Sequence, residues 1–102
     1  MASFKVSDEN RSLVQTMFRA VLCKEPTDDE QLNKFLGLLD ELTDREEAVL
    51  LYRYGLIGGK SLTIEETSKL FDITREEVRQ IESLAVKKLR HPTRSKVLFN
   101  NK

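Results

Sequence analysis

No tryptophan, a single cysteine, a single histidine and only two prolines occur among the 102 residues of this chain. One thiol cannot close an internal disulfide, and Cys23 with His91 is too small a set for a metal site or for a nucleophile and its base. Long apolar runs are missing as well. No segment reaches the length of a membrane span and no secretion signal opens the chain, so a reducing cytoplasm and no membrane partner are expected. Glycine is sparse, and three of the four, Gly55, Gly58 and Gly59, fall together and mark one loop. The string Gly55-Leu-Ile-Gly-Gly-Lys60 cannot serve as a phosphate loop, because its spacing is wrong and no strand pattern precedes it. The adjacent carboxylates Glu46-Glu47 and Glu65-Glu66 read as solvated first-turn residues favoured by the helix dipole. Neither an enzyme nor a cofactor is expected.

Net charge is absent too: 17 basic residues balance 17 acidic ones. The distribution is nevertheless uneven. Residues 1–42 carry five basic and eight acidic side chains, whereas residues 79–102 carry seven basic residues against Glu82 alone. A cationic end on a neutral chain is a local phosphate-binding footprint with salt-dependent contacts. A solvated helix end accounts for it equally well, since Lys and Arg in a last turn complement the dipole.

What is plentiful is helical periodicity, and the chain reads as all-α with about five helices and no convincing strand. Leu13, Val14, Met17, Phe18, Val21 and Leu22 recur at helix spacing from about Glu9 to Lys24, and Pro26 ends the run. Thr27-Asp-Asp-Glu30 has the form of a capping box, and Leu32, Phe35, Leu36 and Leu39 follow on one face. Thr43-Asp-Arg-Glu46 opens the next helix, offering Ala48, Val49, Leu51 and Tyr52 to a core. Two further boxes, Thr63-Ile-Glu-Glu66 and Thr74-Arg-Glu-Glu77, predict helices from Ile64 to Phe71 and from Arg75 to about Arg90, joined by a turn at Asp72-Ile73. Pro92 forbids continuation. A helix of two turns, a tight turn and a longer second helix is the helix-turn-helix plan. Winding the second helix at 100° per residue sets Val78, Ile81, Ala85 and Leu89 on one stripe and Glu76, Arg79, Gln80, Ser83, Lys87 and Arg90 opposite. The opposite stripe carries base-reading chemistry: Arg bonds guanine bidentately, Gln pairs with adenine, and Glu accepts from the cytosine amino group. Arg75, Glu76, Arg79 and Gln80 occupy the half of the helix that meets base edges, with phosphate contacts expected from the far end.

The strings Leu42-Thr-Asp-Arg-Glu-Glu-Ala-Val-Leu-Leu-Tyr-Arg-Tyr-Gly-Leu56, Val78-Arg-Gln-Ile-Glu82 and Lys88-Leu-Arg-His-Pro-Thr-Arg-Ser95, with Leu62-Thr-Ile-Glu-Glu66 and Phe71-Asp-Ile-Thr-Arg-Glu76 between them, resemble region 4 of the bacterial sigma-70 family. The resemblance spans about residues 42–98. It implies double-stranded promoter DNA, read at the minus-35 element, as a partner, with Arg75, Glu76, Arg79 and Gln80 in the major groove. Arg53, Lys87, Lys88 and Arg90 match positions of backbone or activator contact, and Ser83, Thr63 and Thr74 complete the expected DNA-binding set. It also implies docking on the beta-subunit flap of RNA polymerase through the helix from about Asp44 to Tyr54 and the segment before it. Glu77 stands where the family commonly has Arg, and Leu84 where it commonly has Lys. Two lost cations predict weaker DNA binding and a salt dependence flatter by roughly two units of slope. Glu77 has a local explanation in its capping box. Leu84 has none, and hints at a protein contact.

Residues 1–26 form an amphipathic helix of unassigned role, which either completes the core, supports a homodimer or covers the polymerase-binding groove. Residues 27–102 form the helix-turn-helix domain. At this length a further promoter-melting region is not expected. Three readings compete: a regulator that reads promoter DNA and contacts polymerase, a mimic that occupies the flap or a partner protein without reading DNA, and one half of a split sigma factor.

Overall fold

The computed structural model describes residues 5–92 together with 96 and 98. Five α-helices follow in order: α1 (Arg11–Leu22), α2 (Asp29–Leu38), α3 (Asp44–Arg53), α4 (Ile64–Phe71) and α5 (Arg75–Arg90), with a 3-10 turn at Leu39–Glu41 between α2 and α3. No strand occurs among the described residues, and none of their helices is long and apolar enough to cross a membrane.

Four of the five helices, all but α1, begin where a side chain satisfies orphan amides. Thr43, Thr63 and Thr74 form complete capping boxes with Glu46, Glu66 and Glu77. The box expected at Thr27–Glu30 is displaced by one residue. Asp28 caps α2 by accepting from the Gln31 amide at 2.9 Å, while Gln31 Oε1 accepts from the Thr27 amide at 2.8 Å. A carboxylate outcompetes a hydroxyl as acceptor for N–H groups at the positive end of the helix. The end of α1 also differs from expectation. Cys23 adopts a left-handed conformation with φ 58°, so the helix stops one turn before Pro26, and the thiol lies on the surface.

The main core gathers Val14, Met17, Phe18 and Val21 of α1, Leu32, Phe35 and Leu36 of α2, Leu39, Leu42, Leu50 and Leu51, and Ala85 and Leu89 of α5. Phe18 and Phe35 meet edge-to-face with centroids 5.2 Å apart, an arrangement worth about 0.5–1.5 kcal/mol beyond the area it buries. Helix α1 therefore belongs to the same core as the helix-turn-helix, packing on both α2 and α5. The two N-terminal helices are further tied by Arg11, which donates to Asp29 at 2.6 and 3.0 Å and to Asp8 at 2.9 Å. At the other end Gln31 Nε2 donates to the Leu98 carbonyl at 2.8 Å, so this buried amide is satisfied on both sides.

In α3 the buried face is Val49, Leu50 and Leu51, with Ala48 and Tyr52 only half-buried. Glu46 and Glu47 were expected in solvent, and the structure corrects this: they are 7% and 2% exposed. Helix α3 packs against α5, whose Lys88 reaches Glu46, and tertiary packing overrides the preference of a first-turn carboxylate for water.

The loop after α3 depends on Gly55, whose φ is +83° and whose added Cβ would stand 3.0 Å from the backbone of Lys60 and Ser61. Gly58 also has a positive φ, +86°, but faces open space. Gly58→Ala is expected to cost about 1 kcal/mol from left-handed strain alone, and Gly55→Ala roughly 2–3 kcal/mol because backbone must also move. Thermal denaturation of the two variants should show the larger drop in Tm for Gly55→Ala, and equal drops would contradict the close approach.

Candidate nucleic-acid interface

The turn between α4 and α5 is made by Asp72 in the left-handed region, φ 57°, followed by the Ile73 amide donating to the Ser68 carbonyl at 3.0 Å. A non-glycine residue here relies on the tolerance of Asp for this conformation. Thr74 then opens α5: its Oγ1 accepts from the Glu77 amide at 3.0 Å, and its own amide donates to Glu77 Oε1 at 2.9 Å. Beneath the turn, Thr67 and Ser68 are buried yet satisfied, their hydroxyls donating to the carbonyls of Thr63 and Glu65, both at 2.8 Å.

Val78, Ala85 and Leu89 are buried, Ile81, Glu82, Val86 and Lys88 are half-buried, and the remaining residues of α5 face outward. Arg75, Glu76, Arg79, Gln80, Ser83, Lys87 and Arg90 are all exposed, as are Thr63 and Thr74 at the helix starts. Their mutual contacts are long and weak. Arg75 stands 3.7 Å from Glu65, and Arg79 stands 3.8 Å from Glu76, separations at which an exposed pair contributes little and can be exchanged for another anion. Further along the same helix, from Arg79 on, Arg79, Glu82, Ser83, Val86, Lys87 and Arg90 line an open, shallow depression. Leu84 is 52% exposed.

Two of the expected site residues sit differently. Arg53 is half-buried, its Nε donating to Glu82 and its Nη1 to the Leu62 carbonyl at 2.5 Å. Lys88 is half-buried too and donates to both oxygens of Glu46, at 2.9 and 3.1 Å. Both pairs join α3 to α5, so these two cations are engaged within the molecule. Their partners Glu46 and Glu82 were missed in the sequence because they lie 42 and 29 residues away. The one available signal was Glu82, the single acid in a cationic stretch.

Electrostatics around Glu46 run in opposite directions. Burial pushes its carboxyl up, but the Lys88 ammonium and the Thr43 amide more than offset this, and the net shift is downward. Glu66 is likewise held low, first by the amide of Thr63. Tyr54 moves up, chiefly from burial and then from the nearby Glu82 charge.

Residues 38–91 match the family model described as Sigma-70, region 4. Over 61 residues, 60% of the chain, the sequence is 57% identical to the RNA polymerase sigma factor SigA of Listeria monocytogenes serovar 1/2a. The chain matches only 16% of the length of that relative.

The downward shift of Glu46 gives a signed expectation. A carboxyl held lower in the folded state stabilises the fold above its ordinary value near 4.5, and that contribution is lost as pH falls through the lowered value. Glu46→Gln should therefore cost about 1–2 kcal/mol at pH 7, discounted for the partial exposure of Lys88. Urea denaturation of both proteins should show the gap closing below about pH 4.5. A gap that stays constant with pH would remove the ion pair as its cause.

Proposed function

Because the chain belongs to the sigma-70 region 4 family, we propose that it is a sigma-factor-like transcription regulator that recognises minus-35-like promoter DNA and contacts RNA polymerase in the cytoplasm. The family is a non-enzymatic one that works through binding. The observation that carries the reading is the outward face of α5. Arg75, Glu76, Arg79 and Gln80 stand exposed on its N-terminal half, ahead of Lys87 and Arg90 on the same helix. That is the order a recognition helix needs, base-edge donors and acceptors first and phosphate-neutralising cations after them.

Recognition on this reading is modest in strength. Arg53 and Lys88 belong to internal ion pairs, Glu77 serves its capping box, and Leu84 supplies no charge. The phosphate contacts are then few, and binding draws more on base edges and on a polymerase partner that holds the domain near its site. The helix α3 and the segment before it supply the polymerase-facing surface by analogy with the family.

A second reading, occupation of the polymerase flap or a partner protein without reading DNA, is favoured by one specific observation: Leu70 and Leu84 are each 52% exposed. The third reading, one half of a split sigma factor, has promoter melting supplied by another chain.

Fluorescence anisotropy with a labelled minus-35 duplex separates them. Binding at low salt is expected to weaken steeply as salt rises, and Arg79→Ala should lose about 1–3 kcal/mol on the matched duplex. Leu84→Lys, at an exposed position, should steepen the log-log salt dependence by about one unit. Absence of binding at low salt, with and without core polymerase, would rule out DNA reading and leave the flap-occupying alternative.

A further inference from the structure

Away from the outward face of α5, Asp40, Leu42, Asp44 and Glu47 line a cleft of about 380 Å³. Asp40 and Asp44 are exposed on its rim, whereas Glu47 is 2% exposed. Among the described residues, Glu47 Oε1 is a buried side-chain oxygen without a hydrogen-bond partner. Orphaned buried carboxylate oxygens are costly and rare in native folds, and the neighbouring Glu46 shows that this fold can pair such a group, through Lys88. Burial and then the charges of Asp40 and Asp44 push the Glu47 carboxyl upward. Any cation entering the cleft reverses that balance, because it meets two rim carboxylates and a desolvated third at its end.

We propose that this cleft is a receptor for a single arginine side chain of a protein partner, with Glu47 accepting from its guanidinium at the buried end and Asp40 and Asp44 flanking it. The spacing of the acids selects the ligand. No group of three or more acidic, His or Cys side chains among the described residues is close enough to hold a metal ion. A guanidinium is planar, presents five donors in a fork, sheds water more readily than an ammonium, and reaches carboxylates that are too far apart to share one small ion. A charge-assisted bond to a carboxylate already stripped of water is also the contact that gains most per hydrogen bond. Nothing in this inference depends on DNA reading, since no residue of the cleft belongs to α5.

The test is an NMR titration of the whole chain with N-acetyl-L-arginine amide, with the neutral isostere N-acetyl-L-citrulline amide and magnesium chloride as controls. Saturable shifts are expected at Asp40, Asp44 and Glu47 with a Kd in the millimolar range, as befits one anchoring side chain. Citrulline should bind at least about tenfold more weakly, as should the arginine probe to Glu47→Gln, because each removes one charge from the pair. Glu47→Gln is also expected to raise Tm at pH 7, since it deletes a buried charge, so weaker binding by this variant would not reflect unfolding. Asp40→Asn, at an exposed position, should weaken binding by about threefold while leaving Tm within a few degrees. The proposal is overturned by absence of saturable shifts at these residues, by equal binding of citrulline, by undiminished binding to Glu47→Gln, or by a magnesium response stronger than that to arginine.

Discussion

Val78, Ala85 and Leu89 have no exposed surface, and the burial of this one stripe organises the molecule. Helices α1, α3 and α4 and the 3-10 turn all pack against α5. The stripe fixes the rotation of α5 about its own axis, and with it the direction of every other side chain on the helix. A change of one position in the stripe would turn Arg79 and Gln80 by 100°. The core and the candidate interface are thus two sides of a single constraint, and residues that never approach DNA set which residues can.

Charge is arranged around the same helix. The cations of α5 divide into two sets, one turned back and one turned out. Lys88 meets Glu46 of α3, and Glu82 draws Arg53 of α3 onto the side of α5. Both pairs are partly screened from water, and each leaves an uncompensated charge if one partner is removed. They hold α3 and α5 in register at two points. Arg75, Arg79, Lys87 and Arg90 remain on the exposed side. A chain with no net charge can therefore present a positive face, provided its acids are spent elsewhere. Glu46 and Glu82 are spent on α3–α5 pairing, and Glu77 on the cap of α5.

Glu46 and Glu47 show how adjacent identical residues diverge through context. One is buried beside an ammonium and is held low, the other is buried without a partner and is pushed up. In sequence both are first-turn glutamates, indistinguishable by helix position. Lys88, 42 residues away, pairs with Glu46, whereas Glu47 Oε1 meets no hydrogen-bond partner among the described residues, a difference that helix position does not encode.

Local chemistry made the rest legible. Capping boxes at Thr43, Thr63 and Thr74 are written in four consecutive residues, and the helix limits at Ile64–Phe71 and Arg75–Arg90 follow from them and from Pro92. The inward stripe and outward face of α5 are equally local, because 3.6-residue periodicity decides them before any neighbour is present. Where two local signals competed, as between Thr27 and Asp28 for the cap of α2, pattern alone chose wrongly and acceptor strength decided. The all-helical fold, the turn and the outward set on α5 were thus determined by the sequence itself. The merger of α1 into the core, the capture of Arg53 and Lys88, and the burial of Glu47 were decided only in the tertiary structure, since each depends on contacts between residues far apart in the chain, which no local rule encodes.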